Sequence, residues 1–303
     1  MPEDPTPSNI KAACDFAASY TLSSINEIAI QAALMIVNIV IAFFGTLANG
    51  LVIIVYYRNR RLRTHQTTIY LLLAFADFSI TAFVQPMYVA IVWKRLFGNH
   101  DCVLTLLVYP LSILFLDLSL MTIVILSLHT FITLAFPYRL QHTITTSRLT
   151  KVIACFWLLI MLKNACMFLN YGIAKKASFW IICFAIVIVV FTWCWTYKLV
   201  SRHRKDIQTT QAPSNVQNVS QKKILRSTIT AFAIVASLIA CYSLTLSLRI
   251  SGNSLSLAKL NRGTHEILWL VALTLMFLNS LLNPCLIFWR NSGFREAAAN
   301  IFN

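Results

Sequence analysis

The sequence predicts an all-α membrane protein: a seven-transmembrane helix bundle with a short amphipathic eighth helix. Three observations carry that expectation. Hydrophobic residues make up 58% of the 303 and charged residues only 12%, about half the charged share that a soluble domain keeps. The apolar residues gather into seven runs, each near or above the roughly 20 residues a bilayer crossing needs. Lys and Arg are also shared unequally between the alternate connections of those runs.

The runs lie near Ile28–Tyr57, Thr68–Val92, Val103–Ala135, Leu149–Tyr171, Ala177–Leu199, Ile224–Leu248 and His265–Trp289. The third is longer than the hydrocarbon core requires and is expected to tilt or project from it. Residues 1–27 form an amino-terminal segment with Pro2, Glu3, Asp4, Pro5 and Pro7 but no apolar core behind a basic start. They do not read as a cleavable signal peptide. Residues 28–290 make one transmembrane domain, because the connections are short, and residues 291–303 make the tail. Tyr171–Lys176 reads as a very short outer connection, and Ser201–Gln221 as a polar, basic and mobile one. In the tail, Phe294, Ala298 and Ile301 share one side of a helix and are expected to face lipid.

Sixteen of the 25 Lys and Arg fall on the first, third and fifth connections and the tail. The positive-inside bias then places the amino terminus outside and the carboxyl terminus inside. The net charge of +15 reads as a topology signal plus attraction to anionic lipid. It does not form the contiguous basic patch that a nucleic-acid surface needs. On this orientation the sequon Asn218-Val219-Ser220 is cytoplasmic and idle. The eight cysteines show no metal-ligand spacing. Cys155, Cys183, Cys194, Cys241 and Cys285 read as small buried hydrophobes, whereas Cys14, Cys102 and Cys166 lie toward the outer, oxidising face.

Within the runs stand Asn49, Asp77, Asp117, His129, Asn279 and Asn283, with Ser119 and Ser280 beside them. Ionisable and amide groups at membrane depth are costly and need a reason. An isolated carboxylate at Asp77 must be protonated, paired, or in contact with a cation and water. No Lys or Arg stands at an equivalent depth to pair with it. Ser119, Asn279, Ser280 and Asn283 supply neutral oxygens, which hard cations prefer. A hydrogen-bond cluster that only joins helices accounts for the same residues equally well.

The order of several motifs adds to this. Gly45-Thr46-Leu47-Ala48-Asn49 lies in the first run and Leu73-Ala74-Phe75-Ala76-Asp77 in the second. Phe97-Gly98 is followed four residues later by Cys102; Trp157 lies in the fourth run and Tyr197 in the fifth. Asn279-Ser280-Leu281-Leu282-Asn283-Pro284 closes the seventh, with Phe294-Arg295 beyond. In these residues the chain resembles the rhodopsin-like (class A) G-protein-coupled receptors, over nearly its whole length. The resemblance implies that Asp77, Ser119, Asn279 and Asn283 hold a sodium ion with waters in the inactive state, as an allosteric ion and not a cofactor. It implies a plasma-membrane receptor with an extracellular ligand and a G protein or arrestin on the cytoplasmic face.

The chain departs from that family's pattern where coupling is concerned. The acid-Arg-Tyr triplet is replaced by His129-Thr130-Phe131, seven residues or so before Pro137. The inner end of the sixth run offers Lys222, Lys223 and Arg226 in place of an acid, so the usual charge lock across this face has neither partner. Together with Tyr197 these residues make up the expected coupling face. Leu244 stands where the sixth helix would carry its kinking Pro, and Ile287 stands where the seventh would carry Tyr. The family's bridge from Cys102 to the second outer loop finds no cysteine in 170–178, which leaves Cys166, Cys14 or a free thiol.

The resemblance places a ligand pocket among Tyr109, Ser112, Leu116, Asp117, Phe179, Tyr242 and Phe277. Phe277 stands where retinal-binding relatives carry Lys, so Schiff-base light sensing is disfavoured. The leading expectation is a receptor for an unidentified extracellular ligand, signalling through a heterotrimeric G protein with atypical or constitutive coupling. The alternatives are a non-signalling decoy or dimerisation partner of other receptors and, less favoured, an ion channel or transporter. An enzyme is not expected, since HExxH and GxSxG are absent.

Overall fold

Helix α1, Ile25–Arg58, passes through a 3-10 turn at Arg60–Leu62 to α2, His65–Leu96. Helix α2 opens on a capping box: Thr67 N–H donates to Thr64 Oγ1 at 3.3 Å, and Thr64 N–H donates to Thr67 Oγ1 at 2.7 Å. It closes where Gly98 takes φ 72° and donates to the Arg95 carbonyl at 3.0 Å, a left-handed ending that suits glycine. Midway, Ile80–Val84 forms one π turn. Pro86 follows after Gln85; it lacks an N–H and would crowd the carbonyl four residues back, and the extra residue of the π turn takes up that mismatch.

Helix α3, Cys102–Ala135, starts on Asp101, whose carboxylate accepts from Leu104 N–H at 3.0 Å. Then come α4, Thr146–Ala165, and α5, Tyr171–Thr209. Helix α6 spans Phe232–Leu248, α7 Arg262–Arg290 and α8 Ser292–Phe302. This computed structural model describes residues 25–99, 101–136, 145–166, 171–209, 229, 232–248 and 262–302. Among them five helices, α1, α2, α3, α5 and α7, contain stretches long and apolar enough to cross a membrane. The described part of α6 and the more basic α4 complete the seven.

Two expected boundaries are corrected. The fourth helix ends at Ala165, not Tyr171, and the fifth begins at Tyr171 and runs on to Thr209. Hydropathy marks the lipid-immersed part of a helix, and the flanking polar turns, which contain no Pro, continue the same hydrogen-bond ladder. Tyr171–Lys176 is therefore helix and not a connection, as is 201–209 at the start of the supposed linker; residues 210–221 lie outside the described set.

Helix α3 lies at the centre, packed on α2, α4 and α5, while α1 packs on α2 and α7. Where α1 meets α2, a Cβ on Gly45 would stand 2.6 Å from Thr81 Cγ2, so glycine is what lets these helices approach. The bundle is built inside out relative to a soluble protein. Phe43, Phe44, Leu47, Trp180, Phe184 and Phe191 are exposed, whereas Asn38, Asn49, Asp77 and Asn283 are buried. Lipid tails solvate the former, and only the interior offers the latter partners. The cysteines follow the same logic and correct the expectation: Cys241 is buried, but Cys155, Cys194 and Cys285 face outward. Helix α8 is corrected as well. Phe294 and Ala298 turn into the bundle, with Phe294 edge-on to Phe288 at 6.0 Å between ring centres.

Candidate functional site

The centre of the bundle is organised around Asp77. Its side chain is fully buried, with Ser119 Oγ on α3 donating to Oδ1 at 2.9 Å and Asn283 Nδ2 on α7 donating to Oδ2 at 2.8 Å. Beside it, Asn49 Nδ2 donates to the carbonyls of Gly45 at 2.9 Å and Ser280 at 3.0 Å. Neither ion pair found among the described residues involves Asp77. Its charge meets neutral donors alone. The amide oxygens of Asn49 and Asn283 are buried and accept no hydrogen bond among the described residues. A carboxylate with spare amide oxygens is a donor set suited to a hard monovalent cation.

Of the four expected ion ligands, Asp77, Ser119 and Asn283 are brought together. Asn279 is buried nearby, but its Oδ1 faces α6 and accepts from Ser237 Oγ at a long 3.4 Å.

In the amino-terminal half of α1 and the carboxyl-terminal half of α2 a second polar cluster appears that the motifs do not announce. Gln85 Nε2 donates to Asn38 Oδ1 at 2.9 Å, and Asn38 Nδ2 donates to Thr274 Oγ1 at 2.9 Å and to the Leu34 carbonyl at 2.8 Å. All three side chains are buried, as is Gln31 two turns further along α1. The signal was available in spacing: Gln31, Asn38 and Asn49 recur on one side of an otherwise apolar helix, at intervals close to whole turns.

The other buried carboxylate is treated differently. Asp117 on α3 forms a short ion pair with Lys163 near the end of α4, and Lys163 Nζ also donates to Ser178 Oγ on α5 at 2.7 Å. One lysine thus ties three helices. Sequence reading did not single out Lys163; a lone Lys within the apolar part of the fourth helix was the sign that it turns inward. Because Asp117 meets its counter-charge within the chain, it is not a ready partner for a cationic ligand.

The remaining pocket residues are spread in depth. Ser112, Leu116, Tyr242 and Phe277 are buried, Phe179 is half-buried, and Tyr109 is exposed. Phe277 lies edge-on to Tyr88 at 5.5 Å, and Tyr242 Oη donates to the Leu116 carbonyl at a long 3.5 Å.

At the opposite end, the triplet carries no charge lock. His129 stacks edge-on with His65 at the start of α2, ring centres 6.2 Å apart. Thr130 is buried and its hydroxyl returns to its own helix, donating to the Leu126 carbonyl at 2.8 Å. Phe131 is half-buried. Tyr197 points away from the bundle, 66% exposed, and Ile287 is buried in the core. Pro137, Lys222, Lys223 and Arg226 lie outside the described residues.

Cys166 is free, which removes it as the partner of Cys102; it caps α4 and is exposed. Cys102 is disulfide-bonded, which excludes the free-thiol alternative, and the other expected partner, Cys14, lies outside the described residues. In the neighbouring connection, the hydrogen bond from Lys94 holds the Asp101 carboxyl below the usual carboxylate range.

Residues 48–286 match the family model described as 7 transmembrane receptor (rhodopsin family). No curated protein matches the chain.

Proposed function

The chain belongs to the rhodopsin family of seven-transmembrane receptors, receptors and not enzymes, and on that premise we propose that it binds an extracellular ligand and signals through a heterotrimeric G protein with atypical or constitutive coupling. The observation that carries this reading is the contrast between a preserved polar centre and a rewritten triplet. Asp77, Ser119 and Asn283 join α2, α3 and α7, the helices whose relative shifts a bundle receptor would use. At the coupling end, His129-Thr130-Phe131 offers no cation to hold an acid on α6. A partly buried lock contributes at most a few kcal/mol; its loss leaves the bundle folded and loosens the inactive arrangement.

The amino terminus lies outside and the carboxyl terminus inside, supported by the sixteen basic residues on the alternate connections and tail. The ligand enters among Tyr109, Ser112, Leu116, Asp117, Phe179, Tyr242 and Phe277. A G protein or arrestin meets the face formed by His129, Thr130, Phe131, Pro137, Tyr197, Lys222, Lys223 and Arg226. Asp77, Ser119 and Asn283 hold a sodium ion, with Asn279 behind them. The ion supplies charge compensation for Asp77, and the chain's own part is to present oxygens and keep the three helices in register.

Basal second-messenger and arrestin output, compared in cells carrying the wild type, Asp77→Asn and Thr130→Arg, tests the signalling reading. Signalling predicts that at least one variant shifts basal output. If neither moves any readout, the non-signalling decoy or dimerisation partner takes its place.

A further inference from the structure

Five buried amide side chains carry an oxygen that accepts no hydrogen bond among the described residues. Four of them, Gln31, Asn49, Gln85 and Asn283, lie on α1, α2 and α7; the fifth, Asn164, is on α4. The orientation of three of these four is fixed by what their NH2 groups do. Asn49 donates to two backbone carbonyls, Gln85 to Asn38 and Asn283 to Asp77. The hydroxyls beside them spend their protons in the same way. Thr274 Oγ1 donates to the Leu270 carbonyl at 2.8 Å, and Thr81 Oγ1 to the Asp77 carbonyl at 3.0 Å. The donors of Asn49, Gln85, Asn283, Thr274 and Thr81 are committed, and oxygens are left over; Gln31 Nε2 and Ser280 Oγ are the buried groups of this seam able to donate that have no partner among the described residues. Such a lining attracts a cation and repels an anion.

The seam is continuous in direction as well as in chemistry. In a straight helix eight residues separate Asp77 from Gln85 by about 80° around the axis. The π turn between them adds one residue to a turn and brings the pair to within about 20° of the same side. On α1, Gln31, Asn38 and Asn49 likewise fall within about 20° of one another in sequence, at heights of about 10 and 16 Å apart. Gln31 lies nearest the amino-terminal end of α1 and is 1% exposed, with both amide atoms lacking a partner among the described residues. Between the levels of Asn38 and Asn49, Gly45 and Thr81 form the close α1–α2 contact.

We propose that the α1–α2–α7 seam is the path by which a hydrated monovalent cation reaches Asp77 from the amino-terminal face, with Asn38, Gln85 and Thr274 as a neutral-oxygen station on the way. The proposal rests on the cation reading of Asp77. Gln31 receives the ion at the mouth, the amide station replaces part of its water, and the Gly45–Thr81 contact, closed in this structure, parts to let the ion reach the carboxylate.

A path sets rates, whereas the site sets affinity. The full-length protein in lipid nanodiscs, titrated with sodium chloride against choline chloride, gives the equilibrium midpoint from thermal unfolding. Sodium-23 NMR line broadening on the same samples gives the exchange rate. Gln85→Leu is expected to slow exchange about tenfold, as an added barrier of about 1.4 kcal/mol would, with the midpoint unmoved. Gln31→Leu removes a side chain that has no partner to lose, so it folds even if Gln85→Leu does not, and it is expected to slow exchange in the same direction. Wild-type exchange rates in both variants overturn the path while leaving Asp77 as the site. A weakened midpoint with unchanged exchange overturns it too, by making Gln85 part of the site. A wild type whose unfolding ignores sodium, as Asp77→Asn does, overturns both.

Discussion

Among the described residues two aspartates are buried, and the chain meets them in opposite ways. Asp117 is given an ammonium group, Lys163, with Ser178 taking a further hydrogen of that ammonium. Asp77 is given a hydroxyl and an amide, and the amides around it keep oxygens to spare. The first arrangement is closed: its charges cancel and its geometry ties α3, α4 and α5. The second is open, because a buried carboxylate without a counter-charge is costly and its surroundings suit a cation that comes and goes. Burial alone does not distinguish a structural acid from a functional one; the partner's charge does.

The same substitution should therefore act in opposite directions at the two sites. Asp117→Asn strands Lys163 as a buried charge and is expected to cost about 3–5 kcal/mol, read as a large fall in the unfolding temperature of the purified protein. Replacing both partners, Asp117→Leu with Lys163→Met, is expected to recover most of that loss, since apolar pairs of similar volume often equal a buried ion pair. If the double variant is no better than the single, the pair is not a self-contained unit and the comparison breaks.

Gly45→Ala comes next in size. Its Cβ would overlap Thr81 Cγ2, and overpacking of this kind costs about 1–3 kcal/mol. Adding Thr81→Ser, which removes that methyl, is expected to restore the unfolding temperature. Smaller still is Asp77→Asn measured without sodium. It exchanges an uncompensated carboxylate for a neutral amide, so stability is expected to stay level or rise. A loss as large as that of Asp117→Asn would mean that Asp77 has a fixed cationic partner after all.

The smallest effect is expected at the exposed Lys94–Asp101 pair. Asn caps a helix as well as Asp does, so Asp101→Asn should leave neutral-pH stability nearly unchanged. Because the Asp101 carboxyl is held below its ordinary range, the wild-type pair contributes above that range and loses its contribution as pH falls through the depressed value. The variant should lack that acid-side loss.

How much of this was legible in the sequence varied with the kind of signal. The seven helices were, because a span is marked by apolar content over its whole length. Asp77 and Asn283 stood out because they sit in motifs whose order is specific, whereas Asn279, expected beside them, turns toward Ser237 on α6. Asn38, Gln85 and Thr274 were not noticed, since no motif holds them. Gln85 also reaches the side of α2 that Asp77 occupies only through a π turn, which shifts the helical phase and cannot be read from hydropathy. Lys163 was not singled out because it lies near a helix end, where a long side chain can turn outward or inward. The ends of α4 and α5 were misplaced for a related reason: polarity reports where lipid stops, while the backbone ladder continues. His129 was picked out in its triplet, but its contact with His65 depends on how α2 and α3 cross.

Sodium dependence of the unfolding temperature, in sodium chloride against choline chloride at equal ionic strength, tests the open character of Asp77 most directly. The wild type and Asp117→Asn should both be stabilised by sodium, and Asp77→Asn should not respond. An equal response in wild type and Asp77→Asn, or none in either, would contradict the assignment of Asp77 as the cation-holding centre of this receptor.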